Sequence, residues 1–541
     1  MAGLVTSFGS GAMTNSIAEI GRAACILAIG TNTTVAHPVI ALQVKRAARK
    51  GTKLIVANPK EIELCRFADV FLRHKPGSDV ALLMGMMRVI VDRGLADTAF
   101  IEERCENFDE FKQSLDNFDL DFVEQTTGVP RDKIVEAAVC YAENSPASLL
   151  YAMGITQHTH GTDNVMATAN LALLTGNVGK PSTGVNPLRG QSNVQGACDM
   201  GSLPNVYPGY QKVDSPEVRR KFESAWGCNL DGSPGVKLTE MFDAVEQGKV
   251  KAMYIVGENP ILSDADASHV EKAIGELEFF VCQDIFLTET ARLADVVLPA
   301  ATFAEKDGTF TNTERRVQRV RKAVDPPGDA KTDWWIVCEI AKRLGAKGFE
   351  FADSEEIMRE IAGLTPSYGG ISYDRIDDEG LQWPCPTPDH PGTPFLHGKQ
   401  FARGKGRFVP LEYKPSAELP DREYPLTLTT DRSLFHFHTS TMTRKVAGLE
   451  TLDDRELLRI HPGDAAELGV ADGERVQVLS RRGRVTVEAN VTDICPPGVV
   501  SLTFHFHETP TNVLTNAALD PVSKIPETKV CAVRVEKTNT T

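Results

Sequence analysis

Short apolar runs alternate with helical runs through the first two hundred residues of this chain. Cys25–Gly30 and Lys53–Ala57 are apolar, and Pro38–Lys50 between them reads as a helix. Proline suits the first turn of a helix because its φ is fixed and its missing N–H has no helical partner there. Such alternation predicts a parallel sheet covered on both faces. Because ligands bind beyond the carboxyl ends of such strands, Gly30–Thr33 and Ala57–Lys60 are expected to face a ligand.

A second pattern of the same kind follows, and a different one closes the chain. Met253–Pro260 and Phe279–Asp284 read as strands that end in polar turns, within a unit of roughly 192–330. Residues 366–406 are rich in Gly, Pro and Asp and read as an irregular connection. From Tyr424 onward, β-branched runs between glycine turns predict a barrel-like β domain. The predicted class is α/β, with two Rossmann-like units and a barrel, in domains 1–191, 192–417 and 418–541.

The net charge, the cysteine spacing and the apolar stretches exclude several classes of protein. The net charge of -15 argues against nucleic-acid binding, which needs a basic face. The most apolar stretch, Ala81–Val91, is interrupted by Arg88 and is too short to cross a bilayer. The eleven cysteines include no Cys-x-x-Cys pair, so neither a zinc knuckle nor a four-cysteine iron–sulfur run is written here. Scattered thiols without a secretory signal predict a soluble, cytoplasmic protein.

Residues 186–204 fit neither a helical nor a strand period. They carry three glycines, four side-chain amides and Arg189. Glycine lets a backbone approach a ligand closely, and a guanidinium can grip a planar carboxylate with two parallel hydrogen bonds. By composition alone a solvated surface loop is also consistent. The stretch is therefore a candidate binding loop for a small carboxylate.

The sequence of residues 186–204 resembles the active-site loop of molybdopterin-dependent formate dehydrogenases in the dimethyl-sulfoxide-reductase superfamily. The resemblance extends from the first residue to about Lys537. It includes Phe8–Ile20, Leu173–Pro181, Gln283–Thr290, Ala294–Pro299, Glu305–Asn312 and Cys531–Val535. It implies reversible oxidation of formate to carbon dioxide at a molybdenum or tungsten site. Arg189 would orient formate, and Gln191 would face the same pocket.

The resemblance also implies which residues hold the cofactor, a bis-molybdopterin guanine dinucleotide. The strand ends would bind its two guanine-dinucleotide arms, and the carboxy-terminal domain would be a six-stranded, double-psi-like barrel that closes over it. Ordinary capping and turn chemistry is the alternative for each residue. The implied contacts are Asn32, Thr33, Thr34, Asn58, Lys60, Gly77, Ser78, Asp79, Met153, Gln157, Gln283, Asp284, Asp333, His436, Ser440, Met442, Thr443, Asn512 and Lys529, with His160 left open.

Two histidine pairs offer another interpretation of the barrel domain. His436 and His438, like His505 and His507, are two residues apart and would share a face if they lay on strands. Four imidazoles could then suggest a metal site. No carboxylate completes the set, so we expect no metal ligand in this chain and assign His436 to the cofactor.

The resemblance also leads to expectations about the segment upstream of this chain and about its partner subunits. Relatives begin with a four-cysteine segment that binds a 4Fe–4S cluster, and then carry a cysteine or selenocysteine metal ligand followed by histidine. Met1–Leu4 resembles the segment just after that ligand. We expect the chain to start downstream of a selenocysteine codon read as a stop, and the polypeptide alone to be catalytically impaired. Expected partners are iron–sulfur subunits linked to NAD, ferredoxin or a hydrogenase.

Two other functions stay open from the sequence. One is a different bis-pterin oxidoreductase, such as a nitrate reductase. The other is a non-catalytic nucleotide-binding scaffold, if the chain acts as an isolated fragment. The arginine of the 186–204 loop favours formate, because it offers a carboxylate-gripping group.

Overall fold

The computed structural model describes residues 1–538. The chain forms two compact units, one of Met1–Leu188, Pro260–Ser268 and Phe395–Thr541, the other of Arg189–Asn259 and His269–Pro394. The first division thus falls three residues before the expected boundary at 191. The stretch 395–417, expected in the second domain, belongs to the first unit because its apolar side chains complete that core. Phe401 stacks on Phe8 at 5.4 Å, and Phe408 stacks on Phe111 at 4.8 Å.

The first unit contains a five-stranded parallel sheet. Its strands are β1 (Cys25–Ile29), β2 (Lys53–Ala57), β3 (Val70–Leu72), β4 (Ala147–Tyr151) and β5 (Val185–Pro187), in the order β3-β2-β1-β4-β5. Every residue of β1 and β4 is buried, as expected for apolar strands covered on both faces. The helices of the unit are Ala2–Phe8, Ile17–Ile20, Thr33–Ala36, Pro38–Arg49, Asp79–Asp92, Thr98–Arg104, Phe108–Ser114, Leu120–Thr127, Arg131–Glu143, Met153–Thr156, Gly161–Leu174, Pro260–Ser263, Ala447–Leu452 and Pro462–Leu468.

Two of these helices are buried on almost every side. Asp79–Asp92 and Gly161–Leu174 bury almost every side chain in the core of the first unit. The buried threonines and asparagines of Gly161–Leu174 each make a hydrogen bond, as burial of polar groups requires. Within residues 1–538, none of the helices combines the length and the apolar composition that a bilayer crossing requires.

The second unit has one two-stranded antiparallel sheet, Val206–Tyr207 with Gln211–Lys212, and two three-stranded sheets. The parallel one is β8-β7-β6, formed by β6 (Ala252–Val256), β7 (Phe279–Asp284) and β8 (Val296–Pro299). The antiparallel one is β9-β10-β11, formed by β9 (Gly308–Thr311), β10 (Arg316–Val320) and β11 (Leu381–Gln382). The helices are Val194–Asp199, Pro216–Trp226, Leu238–Glu246, Ala267–Gly275, Asp333–Arg343 and Ser354–Leu364.

The carboxy-terminal part of the first unit is a closed six-stranded barrel. Its strands are β12 (Leu426–Thr430), β13 (Leu457–Ile460), β14 (Arg475–Leu479), β15 (Arg484–Val491), β16 (Val499–Leu502) and β17 (Cys531–Lys537), in the order β12-β16-β13-β15-β14-β17. The pairs β12–β16 and β13–β15 are parallel and the rest antiparallel. Alternate side chains, Val476 and Val478 among them, fill the interior. The predicted class, parallel α/β sheets with a six-stranded barrel, is confirmed.

Candidate active site

The turn after β1 buries polar atoms at the carboxyl edge of the parallel sheet. Gly30 has φ of 57°, and a Cβ on it would lie 2.8 Å from the backbone nitrogen of Ile155. The hydroxyls of Thr31, Thr33 and Thr34 and Oδ1 of Asn32 are buried without a hydrogen-bond partner among residues 1–538. Buried polar groups are normally paired, and leaving one unpaired is costly. The residues predicted here therefore form a cradle that fits a ligand rich in polar atoms.

The turn after β4 lies against this cradle. The backbone N–H of Gly154 donates to the carbonyl of Gly30 at 3.0 Å. Met153 and Gln157, both predicted contacts, bracket the short helix Met153–Thr156, with Met153 exposed and Gln157 half-buried. His160 is buried, and its ring stacks on that of His158 at 5.3 Å. The structure thus brings the predicted residues of these two turns to one sheet edge.

The turn after β2 reaches the barrel. Asn58 accepts the backbone N–H of Lys60 at 3.0 Å through Oδ1. The Lys60 ammonium forms an ion pair with Asp431 and lies 3.2 Å from the hydroxyl of Ser501. Asp431 directly follows β12, so this pair joins the carboxyl ends of a sheet strand and a barrel strand.

A second buried lysine lies at the same end of β12. Lys529 Nζ donates to the carbonyl of Thr430 at 2.7 Å. Burial, together with the nearby Arg432 guanidinium, lowers the pKa of Lys529 to about 7. Burial also lowers the pKa of Arg432. Cations gathered in a desolvated place favour a polyanionic ligand such as a pyrophosphate.

The turn before helix Asp79–Asp92 packs against other residues of the chain and forms ion pairs with them. Gly77 has φ of 80°, and a Cβ on it would lie 2.4 Å from Oγ of Ser416. Burial alone would raise the pKa of Asp79, but His74, at 3.0 Å, and His158 hold it below its ordinary value. His158 also lies 3.8 Å from Glu527. The predicted contact Asp79 is therefore part of a buried charge network, whatever else it binds.

The segment after β12, which contains the first histidine pair, is not a strand. Residues 436–438 and 505–507 lie outside the strands. His438 and Ser440 have φ of 51° and 59°, a left-handed backbone that no strand accommodates. Because neither pair lies on a strand, the strand-face alternative considered from the sequence does not apply. Within residues 1–538 no cluster of three or more His, Cys, Asp or Glu side chains could hold a metal ion.

The predicted contacts of this segment are held by local hydrogen bonds. His436 Nδ1 lies 3.1 Å from the hydroxyl of Thr443, which also accepts the N–H of Phe437 at 3.2 Å. The buried Ser440 hydroxyl donates to the carbonyl of His505. Met442 is exposed. Ser440 and Thr443 thus shape the segment itself.

Asn512 joins the barrel to the segment Pro260–Ser268 of the same unit. Its buried amide donates to the carbonyls of Leu262 at 2.8 Å and Ser263 at 3.1 Å. Both bonds engage the amide nitrogen. Any contact of Asn512 with a cofactor would have to use its oxygen or follow a rearrangement.

In the second unit, the predicted residues at the end of β7 form one network. Gln283 is fully buried and donates to Oδ1 of Asp333 at 2.7 Å. Lys306 forms an ion pair with the other oxygen of Asp333. Asp284 accepts the N–H of Ile285 at 2.6 Å, and burial raises the pKa of Asp284. The structure therefore brings Gln283, Asp284 and Asp333 together at one strand end.

The Arg189 loop, residues 189–199, also belongs to the second unit. The backbone N–H of Arg189 donates to the hydroxyl of Thr313 at 3.0 Å, and Asn193 accepts the N–H of Thr311 at 2.8 Å. Nε and Nη2 of Arg189 are shielded from solvent, while Gln191 is exposed. Burial raises the pKa of the Cys198 thiol, and the hydrogen-bonded Arg189 guanidinium opposes that rise. The guanidinium is thus held against the loop's own final helix.

Sequence reasoning missed several of these residues. Asp431 follows a strand end, so the rule that selected the turn Gly30–Thr33 could have found it. Ser416 and Glu527 could not have been found, because their roles depend on partners far away in the chain.

Comparison with known proteins places this geometry in a family. Residues 5–343 match the molybdopterin oxidoreductase family, and residues 426–532 match the molybdopterin dinucleotide binding domain. The F420-dependent formate dehydrogenase subunit alpha of Methanocaldococcus jannaschii is 50% identical over 99% of this chain and 80% of its own length. Formate dehydrogenase H of Escherichia coli is 41% identical over 99% of this chain and 76% of its own length. The solved structure of acetylene hydratase from Pelobacter acetylenicus shares the fold, with a TM-score of 0.77 at 23% identity over 99% of this chain and 80% of that chain.

The chain belongs to the molybdopterin oxidoreductase family. Within that family, its curated relatives quoted above are formate dehydrogenase subunits. The two matched domains imply a molybdenum or tungsten pterin cofactor. The unpaired hydroxyls after β1 and the buried cations at the end of β12 fit such a polar, anionic group.

Proposed function

We propose that this protein oxidises formate reversibly to carbon dioxide as the catalytic subunit of a formate dehydrogenase. The reaction converts HCOO⁻ to CO₂, one proton and two electrons. The observation that carries the proposal is the Arg189 loop, in a chain half identical to a formate dehydrogenase alpha subunit. Its arginine is fixed at the backbone by Thr313 and shielded at Nε and Nη2.

Arg189 would bind and orient the substrate. Formate is a planar carboxylate, and a guanidinium can donate two parallel hydrogen bonds to its oxygens. Because the guanidinium is partly desolvated, the attraction is less screened than at an open surface. Gln191, two residues on, would supply a further donor or acceptor from the exposed part of the loop.

The proposed cofactor is a bis-molybdopterin guanine dinucleotide, which when bound supplies the two-electron redox chemistry. In the first unit, Asn32, Thr33 and Thr34 would hydrogen-bond one arm, and Lys60 and Lys529 would offset its charge. In the second unit, Gln283, Asp284 and Asp333 would hydrogen-bond the other arm. Carboxylates after a strand suit ribose hydroxyls and ring N–H groups.

We also propose that the protein works in the cytoplasm with iron–sulfur subunits that carry electrons to an acceptor. The relative from Methanocaldococcus jannaschii is named as an alpha subunit, which supports further subunits. The absence of a Cys-x-x-Cys pair from this sequence supports electron carriers in other polypeptide segments.

The test is formate-dependent reduction of a viologen dye by the holoenzyme purified as the full-length gene product with its subunits, together with its molybdenum and tungsten content. We expect turnover with formate and a stoichiometric metal. Nitrate turnover without formate turnover would identify a different oxidoreductase of the family. A protein with neither metal nor turnover, purified from cells that load other pterin enzymes, would contradict the proposal.

A further inference from the structure

The helix that ends the Arg189 loop is anchored by a buried carboxylate. Asp199, the last residue of helix Val194–Asp199, is 1% exposed. Its Oδ2 accepts from the Tyr368 hydroxyl and from Nε1 of Trp383, both at 2.6 Å. Its Oδ1 accepts from the Tyr210 hydroxyl at 2.7 Å and from the Gln195 amide at 2.8 Å. Each oxygen thus receives two donors.

These four donors do more than solvate the charge. A carboxylate can be buried only where hydrogen bonds replace water. All four donors here are neutral groups with directional bonds, three of them on aromatic side chains that pack in fixed orientations. Gln195 lies on the same helix as Asp199, so the carboxylate joins this helix to three other segments, those of Tyr210, Tyr368 and Trp383.

The anchored helix end is directly linked to Arg189. Cys198, the neighbour of Asp199, lies beside the Arg189 guanidinium. The Tyr368 hydroxyl that binds Asp199 also lies 3.0 Å from the hydroxyl of Thr311. Thr311 in turn holds Asn193, and Thr313 holds the backbone of Arg189. Hydrogen bonds therefore connect both ends of the loop to the same buried network.

We propose that Asp199 is a positioning residue for formate binding, which sets the place of Arg189 through the loop helix, Cys198 and the Thr311–Thr313 turn. The inference rests on the proposed function, since it assumes that Arg189 binds the substrate. Asp199 itself makes no contact with formate in this scheme.

Asp199→Asn tests the role at constant size. In Asp199, each carboxylate oxygen accepts two hydrogen bonds. In the variant, the amide NH₂ replaces one of these oxygens and would face two donors, and the indole N–H of Trp383 cannot become an acceptor. We expect the helix end to shift and the guanidinium to lose its fixed direction. The KM for formate should rise by roughly tenfold or more, while kcat changes less than about threefold. Amide hydrogen exchange across residues 189–199 should quicken, and metal content should stay normal.

Tyr210→Phe provides a milder variant, and Tyr373→Phe a matched control. Tyr210→Phe removes one of the four donors and should raise the KM for formate about threefold. Tyr373 lies in the same unit, and its hydroxyl bonds to Ser354 at 2.9 Å, away from Asp199. Its loss should leave the KM for formate unchanged. If Asp199→Asn does not accumulate as folded protein, Tyr210→Phe decides by the same measurements.

The outcomes separate this inference from the proposed function. An Arg189→Lys enzyme with normal formate kinetics would overturn the proposed function. If Arg189→Lys raises the KM but Tyr210→Phe and Asp199→Asn do not, only the positioning role of Asp199 is overturned. An equal fall of kcat and metal content in Asp199→Asn, with KM unchanged, would also overturn it, since that pattern marks a general folding defect.

Discussion

Asp520 accepts hydrogen bonds from both the backbone N–H and the hydroxyl of Thr162, at 2.9 and 2.7 Å. Thr162 is the second residue of the buried helix Gly161–Leu174, whose own N-cap, His160, makes no side-chain capping bond. A carboxylate at this end satisfies a free N–H and interacts favourably with the helix dipole. A residue between β16 and β17 of the barrel therefore caps a core helix of the parallel-sheet part of the same unit.

Asp520→Ala should lower the stability of the first unit. Removing the acceptor leaves the buried Thr162 N–H and hydroxyl unpaired, which costs about 1–3 kcal/mol. Denaturation of the cofactor-free protein, followed by far-UV circular dichroism, measures the loss. Asp92→Ala is the control, because its ion pair with Arg88, 2.7 Å long, is at the surface and should matter little. Equal stability of Asp520→Ala and wild type would contradict the capping role.

The same carboxylate predicts an acid dependence. Burial alone would raise the pKa of Asp520, but the N–H groups of Ser523 and Thr162 hold it below its ordinary value. A group whose pKa is lower in the folded state stabilises the fold above its unfolded pKa, and loses that effect as pH falls through the folded pKa. The stability difference between wild type and Asp520→Ala should therefore be constant near neutral pH and shrink below about pH 4. A difference that grows in acid would contradict this sign.

Much of the fold follows from local sequence. The runs Lys53–Ala57 and Phe279–Asp284 are predicted as strands and observed with the same bounds. Apolar and β-branched side chains there leave few other ways to be buried. The alternation of the histidine pairs resembles a strand, but both segments lie outside the strands, and the first has a left-handed backbone at His438 and Ser440.

The sequence predicted which residues lie at the candidate site better than it predicted their hydrogen-bond partners. Strand ends pointed to Asn32 and Gln283, and the structure places both at carboxyl edges of parallel sheets. No local pattern showed that Asn512 would donate to Leu262, about 250 residues earlier, or that Tyr368 and Trp383 would meet Asp199. A buried polar group needs a hydrogen-bond partner, and that partner is often far away in the sequence. A single sequence does not show which distant residue it will be.

Thr33→Val separates cofactor binding from folding. The Thr33 hydroxyl is buried without a partner among residues 1–538, so the cofactor-free variant should be as stable as wild type or up to about 1 kcal/mol more stable. Retention of guanine nucleotide and metal after purification should nevertheless fall. Thr168→Val is the matched control, because its buried hydroxyl bonds to the carbonyl of Val165 at 2.7 Å. It should lose about 0.5–1.5 kcal/mol of stability and retain cofactor. The reverse pattern would show that Thr33 is structural.

Lys529→Met should change the pH dependence of the cofactor-free protein. Burial lowers the pKa of Lys529 to about 7 in the folded chain. The unfolded chain therefore binds one more proton between about pH 7 and pH 10, and wild-type stability should rise with pH across that range relative to the variant. Urea denaturation of both proteins at several pH values measures the difference. Parallel pH profiles would show that the ammonium is not desolvated.

Arg189→Lys tests the substrate directly. Lysine keeps the positive charge but lacks the planar fork, so it cannot make two parallel bonds to formate. The lost bidentate contact should cost about 2–4 kcal/mol, a fall of roughly 30- to 1000-fold in kcat/KM for formate. Steady-state kinetics with a viologen dye measures it, and metal analysis should show normal loading. Arg220→Lys, an exposed change in the same unit, should leave both unchanged. Unaltered formate kinetics in Arg189→Lys, or loss of the cofactor, would make this arginine structural and remove the main support for formate as the substrate.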